Sequence, residues 1–169
     1  MTEIKRLKDI VRKLRSEDGC PWDRVQTHES LKAACVEEAA EVVCGINILS
    51  DRNDPDNLRE ELGDLLLQVV FHACIAEEEG YFTFDDVVKT VSDKMVRRHP
   101  HVFSGRVFES DGDRHAAWEE IKKQEKEGKE WQTPYLENAM NEAAALIDTA
   151  RIRKGFIDRK EDTEDGQKS

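Results

Sequence analysis

The chain has 169 residues, enough for one domain with a real core and an appendage. Its 26 Lys and Arg against 37 Asp and Glu leave a formal net charge of −11, which argues against general nucleic-acid binding, a mode that draws on spread positive charge. The N-terminal stretch MTEIKRLKDIVRKLRS is amphipathic and mixed in charge, without the apolar centre of a signal peptide. No stretch approaches the roughly 20 apolar residues of a membrane span. Cys20, Cys35, Cys44 and Cys74 form no CxxC pair, and two of them fall at helix-core positions. They read as reduced thiols, and a cytoplasmic location is expected.

Ile4, Leu7, Val11 and Leu14 recur with helical spacing and define an opening helix, which SEDGCPWD ends with Gly19 and Pro21. Thr27 or Ser30 can cap a second helix running to about Leu49. SDRNDPD is a loop, with Pro55 near the start of a third helix from about Asn57 to Glu78. That helix is nearly all apolar in its middle and is expected to be central. EEGYFTF breaks the pattern, and Asp85 or Asp86 opens a helix through Val88, Val91 and Met95 to Arg98, stopped by Pro100. HPHVFSGRVFESDGD reads as a loop, with HVFSGRVF the only short strand candidate. RHAAWEEIKKQEKEGK is a polar fifth helix. Beyond Pro134, Leu136, Met140, Ala143 and Ile147 stand in register on a further amphipathic helix. The expected organisation is a helical module over 1–127, a linker and amphipathic helix over 128–157, and a disordered charged tail over 158–169. The fold class is all-α, a helical bundle.

One irregularity stands out on the second helix. Leu31, Cys35, Val42 and Leu49 mark a buried stripe, yet the position that the rhythm reserves for a core residue, 38, is a glutamate. Carboxylates are seldom buried alone, because stripping one of water costs several kcal/mol or more. Glu38 and Glu41 stand three apart, as do Glu61 and Asp64 at the head of the apolar run on the third helix. Three residues rise about 4.5 Å and return to within about 60° of the same face. Packed side by side, the two helices would converge four carboxylates, which must either raise their pKa values or hold cations. Oxygen-only ligands suit a hard ion, Mg²⁺ or Mn²⁺. With 37 acidic residues, such spacings also arise by chance, and Glu37, Glu60 and the run from Glu77 to Glu79 read as mostly solvated face. No histidine follows a glutamate by three residues, so a ferritin-like di-iron site drops out. A second cluster, Lys94, Arg97 and Arg98, shares one helix face. It reads as a phosphate clamp or as a basic helix end complementing the macrodipole. Trp22 and Trp118 read equally as core, packing or a base-stacking platform.

GCPWDRVQT, EEAAE, REELGDLLLQVVFHA, EEEGYFTFDDV and KMVRRHPHVF, in that order, resemble the MazG family of nucleoside triphosphate pyrophosphohydrolases from about Ile4 to Lys126. Glu37, Glu38 and Glu41 match the family's EExxE, and after a spacer of 19 residues Glu61 and Asp64 match its ExxD. The resemblance implies a fold whose core is completed by dimerisation or higher assembly. It implies Mg²⁺-dependent cleavage of nucleoside triphosphates to monophosphate and pyrophosphate, with Glu38, Glu41, Glu61 and Asp64 as metal ligands. In the metal-assisted hydrolysis expected on that reading, a spare carboxylate, Glu37 or Glu41, takes the proton of the attacking water. Lys94, Arg97 and Arg98 match its KxxRR, and Trp118 with Lys122 its W-x-x-x-K, both associated with nucleotide binding. Longer members carry two such modules in tandem, and this chain looks like the first. A catalytically silent nucleotide-binding module and a plain dimerisation module are the rival readings.

Overall fold

The computed structural model describes residues 1–158. The fold is all-α, and among the described residues there is no strand. The order is α1 (Glu3–Arg15), a single turn α2 (Pro21–Arg24), α3 (Lys32–Arg52), α4 (Asp56–Glu78), α5 (Phe84–Arg98), a single turn α6 (Pro100–Phe103), α7 (Asp111–Lys126), a 3₁₀ turn (Glu130–Gln132) and α8 (Thr133–Arg153).

As its apolar middle predicts, α4 is the central helix, packed against α1, α3 and α5. Its C-terminal half is buried from Val70 to Ala76 apart from His72. There it joins Val11 of α1, Leu31 and Phe84 in one core cluster, with Leu7 and Leu67 packed against it. Arg15 locks this end of the molecule. Its guanidinium, only 6% exposed, donates to the carbonyls of Asp23 (2.8 Å) and Gln26 (3.0 Å) and to both carboxylate oxygens of Glu78 (2.9 and 2.6 Å). The N-terminal half of α4 is different, with Leu62, Leu66 and Val69 exposed.

The helix ends differ from the sequence reading where capping is local. Thr27 and Ser30 bond to each other's backbone N–H (3.1 and 2.9 Å) and close a turn before α3 rather than capping it. Helix α5 is opened by Thr83, whose hydroxyl accepts from the Asp86 N–H while the Asp86 carboxylate accepts from the Thr83 N–H, a reciprocal capping box. HVFSGRVF is not a strand. Pro100 begins a helical turn, a position where its missing N–H is no loss, and Gly105 at φ +70° follows the end of that turn. The thiols are free, but only Cys74 is buried, and Cys44 is exposed. Of the tail expected over 158–169, all but Asp158 lies outside the described residues.

Helices α3 and α4 run antiparallel and approach closely at Gly45, the one buried residue of α3. A Cβ there would lie 2.7 Å from the Leu58 Cα and 3.0 Å from its backbone nitrogen. Gly45→Ala should therefore wedge the two helices apart, at about 1–3 kcal/mol for overpacking. That outweighs the roughly 1 kcal/mol of helix propensity regained. Urea denaturation is expected to show a lowered midpoint; an unchanged or raised one would mean that the crossing is looser than the structure shows.

Candidate metal and nucleotide site

The antiparallel register sets Glu38 of α3 opposite Glu61 and Asp64 of α4. One carboxylate oxygen from each lies within 4.8 Å of the others. Glu38 and Glu61 are half-buried and Asp64 is exposed, so the cluster opens to solvent on one side. Glu61 is steadied by Asn57, whose side-chain amide donates to it at 2.8 Å. The remaining Asn57 oxygen is buried without a partner among the described residues. Burial first, then the neighbouring charges of Glu41, Asp64, Glu37 and Glu61, push the Glu38 carboxyl above its ordinary value. Burial and like charge act in the same direction here, with no cation paired to Glu38 among the described residues.

Glu37, the preceding residue, shows the reverse. It points to the far end of α8, where Arg153 pairs with one of its oxygens and Lys154 lies 2.9 Å from the other. Lys154 holds it below the usual carboxylate range. Glu41 also pairs with Lys154. The structure thus brings together three of the four carboxylates that the sequence groups; Glu41 faces a cation of α8 instead.

The basic cluster sits on another part of the molecule, between α5 and α7. Arg97 donates through Nε and Nη2 to one oxygen of Glu125 (2.7 and 2.5 Å), and Arg98 donates likewise to the other (3.0 and 2.6 Å). Lys94 is half-buried on the same helix. Trp118 of α7 lies under Lys122, 4.2 Å from its ring centre, with Arg98 at 5.9 Å. Arg98, His99, His101, Arg114, His115 and Trp118 line an open cavity of about 400 Å³, within the range of small-ligand sites. A larger cavity of about 600 Å³ between α7 and α8 is lined by Lys122, Lys126, Lys129 and Leu136 among others, and holds none of the four grouped carboxylates. Trp22 is 63% exposed and joins neither cluster. Sequence reasoning missed Asn57, Glu125, Arg153 and Lys154. Only Asn57, four residues before Glu61 on one helix face, could have been found from spacing.

The described residues thus form an all-α protein with a convergent Glu/Glu/Asp cluster on two antiparallel helices, whose oxygens could hold a hard cation, and a separate Arg/Trp cavity. Comparison with known proteins narrows that description. Residues 26–103 match the MazG nucleotide pyrophosphohydrolase domain, and this segment belongs to the MazG family. It is 52% identical over 123 residues to a Thermotoga maritima protein, the nucleoside triphosphate pyrophosphohydrolase/pyrophosphatase MazG, covering 73% of this chain and 45% of the relative. It is 43% identical over 155 residues to an Escherichia coli nucleoside triphosphate pyrophosphohydrolase, covering 91% of this chain and 57% of the relative. A Bacillus subtilis uncharacterized protein, YabN, is 47% identical over 152 residues, covering 90% of this chain and 30% of the relative. The chain therefore spans between about a third and somewhat over half the length of these relatives. No helix among the described residues is long and apolar enough to cross a membrane.

The clasp on Glu125 generates a pH-dependent prediction. Arg98 first, and then Arg97, hold the Glu125 carboxyl below its ordinary value of 4.5. A depressed folded value stabilises above the unfolded one, and the contribution is lost as pH falls through the folded value. Glu125→Gln should therefore lower Tm by about 2–4 °C near neutrality, with the gap to wild type closing in acid. A gap that does not change with pH would show that the carboxylate charge is not what joins α5 to α7.

Proposed function

We propose that this chain hydrolyses nucleoside triphosphates to monophosphate and pyrophosphate with Mg²⁺, in the general service of removing nucleotides from the pool. The observation that carries the reading is the Glu38–Glu61–Asp64 cluster, inside the segment that matches the MazG domain. The donor set fits a hard divalent cation: all oxygen, without sulfur or imidazole. The 4.8 Å spread lies close to the roughly 4 Å that separates opposed ligands around Mg²⁺. Glu38, Glu61 and Asp64 would hold the ion, and Glu41 would join them on leaving Lys154. Bound there, Mg²⁺ supplies Lewis-acid charge to the phosphate oxygens and makes an attacking water more acidic.

The protein's own residues do the rest. Glu37 or Glu41, whichever is not engaged by the ion, accepts the proton of the attacking water. Lys94, Arg97 and Arg98 neutralise the diphosphate as negative charge develops on it, once Glu125 yields the two guanidinium groups to phosphate. Trp118, with Lys122 over its ring, lines the cavity that would receive the base and sugar. Neutralising the metal ligands tests these roles. Glu38→Gln, Glu61→Gln and Asp64→Asn should each lower turnover roughly 100-fold or more, since outer-shell changes alone cost about 10- to 100-fold. The helices should remain folded, because carboxylate repulsion is relieved. Running the wild-type reaction in ¹⁸O-water locates the attack. Label in the monophosphate is expected; label in orthophosphate, with nucleoside diphosphate as co-product, would overturn the reading.

We further propose that the chain self-associates, as a dimer or a higher assembly of dimers. Val43 and Ile46 of α3, Leu62, Leu66 and Val69 of α4, and Ile4 and Ile10 of α1 are all exposed. Ile4, Leu7, Ile10 and Leu66 line a shallow apolar cavity. A second copy over α1, α3 and α4 would cover this surface. Sedimentation at micromolar concentration is expected to give at least twice the 19.4 kDa of one chain. A clean monomer mass would refute the assembly.

A further inference from the structure

The mechanism leaves one feature unused: two cations from the end of α8 reach the carboxylates of the EExxE motif. Their placement is built into the fold. Helix α8 packs along α3, with Ala143, Leu146, Ile147 and Ala150 half-buried on its inner side. Lys32, at the start of α3, pairs with Glu142 at 3.0 Å. Glu37 and Glu41, further along α3, meet Arg153 and Lys154. The pairings advance together, so the two helices run in the same direction and share a fixed register. The last turn of α8 is also pinned. Gly155 adopts φ +73°, its N–H reaches the Ile152 carbonyl at 3.0 Å, and the Phe156 N–H reaches the Arg151 carbonyl at 2.8 Å. That is a complete Schellman closure, which fixes where Arg153 and Lys154 project.

The cations divide one acidic motif into two groups. Glu38 faces Glu61 and Asp64, and these three lie within mutual reach of one ion. Glu37 and Glu41 face Lys154, with Glu37 only 17% exposed and Glu41 34%. Ion pairs so placed are screened less than open surface pairs. Lys154 pairs with one oxygen of Glu41, which stands outside the Glu38–Glu61–Asp64 group; an ammonium there and a divalent ion at the triad compete for the direction and the charge of the same carboxylate.

We propose that Lys154, assisted by Arg153, is a positioning residue of the carboxylate site, holding Glu41 and Glu37 out of the ligand set and competing with a divalent cation for them. This rests on the reading of Glu38, Glu61 and Asp64 as ligands. Its consequence is quantitative. The apparent affinity of the site is the intrinsic affinity reduced by the fraction of molecules in which Glu41 is free. Metal binding must then displace Lys154 and loosen the last turn of α8.

The test uses Mn²⁺ as probe, with the unbound ion counted by its electron paramagnetic resonance signal and no nucleotide present. Lys154→Met keeps most of the side chain's length and removes the charge. It is expected to bind Mn²⁺ about 3- to 10-fold more tightly than wild type, while Lys154→Arg, which keeps the charge, should stay near wild type. Hydrogen exchange of residues 150–154 should quicken on adding Mn²⁺ to wild type. Equal or weaker Mn²⁺ binding by Lys154→Met than by wild type overturns this assignment and leaves the ligand triad standing. No Mn²⁺ binding by either protein overturns both.

Discussion

The close approach of α3 and α4 at Gly45 is the constraint on which the rest of the structure depends. With Gly45 against the backbone of Leu58, the antiparallel register is set for the whole length of the pair. Counting back along α3 and forward along α4 then brings Glu38 to Glu61 and Asp64. The same register brings Cys35 and His28 to His72: the Cys35 sulfur lies 3.1 Å from His72 Nε2, and the two Nδ1 atoms of the stacked histidines are 2.7 Å apart. The cohesive part of the interface lies towards this second end, where the C-terminal half of α4 is buried. Apolar burial there, at about 25 cal/mol per Å², opposes the repulsion among carboxylates at the first end. Stability and charge concentration are separated along one helix pair, and neither would survive exchange of the two halves.

How the acidic groups are partnered separates structure from site. Glu77 and Glu78 are paired with Arg12 and Arg15, Glu125 with Arg97 and Arg98, and Glu37 and Glu41 with α8. Glu38, Glu61 and Asp64 have one another and Asn57. The adjacent pair Glu37 and Glu38 make the contrast sharply. Successive helical residues point about 100° apart, so one carboxyl turns to cations and is lowered while the other turns to carboxylates and is raised. A half-buried acid raised by burial and then by its acidic neighbours is destabilising unless something else is gained from it, and such groups concentrate at functional sites.

Most of the helical layout and the acidic pairs were legible in the sequence because both follow from spacing along a single helix. Position 38 interrupts the apolar stripe that Leu31, Cys35, Val42 and Leu49 define, and its oddity needed no structure to be noticed. The turn Pro100–Phe103 was not legible, since valine and phenylalanine in HVFSGRVF suit a strand as well as a helix turn. Nor was the division of the EExxE motif. Whether Glu41 joins Glu38 or leaves it depends on Lys154, a residue 113 positions away. The same holds for Arg97 and Arg98. Their spacing declared a shared face, but the acid that binds both, Glu125, is carried by a different helix. Local periodicity determines which side chains lie together on one element; only packing determines which opposite charge reaches them.

Seen together, the two charged regions have the same design. Part of each proposed site already has an internal partner of the opposite sign: Glu37 and Glu41 have Lys154, and Arg97 and Arg98 have Glu125, beside the Glu38, Glu61 and Asp64 carboxylates that have only one another and Asn57. On the proposed function, a magnesium–nucleotide complex carries both signs at once, and its two ends would replace both sets of partners. Exchange of that kind keeps the ligating groups paired throughout and passes the loss of a partner to Glu125 and Lys154, a cost that the ligand's contacts must offset. It also discriminates. A monophosphate lacks the outer phosphates proposed to meet the two arginines, and a bare divalent ion offers them nothing. The internal pairs would therefore favour ligands that satisfy both regions together, with the α4–α5 contact joining the two halves.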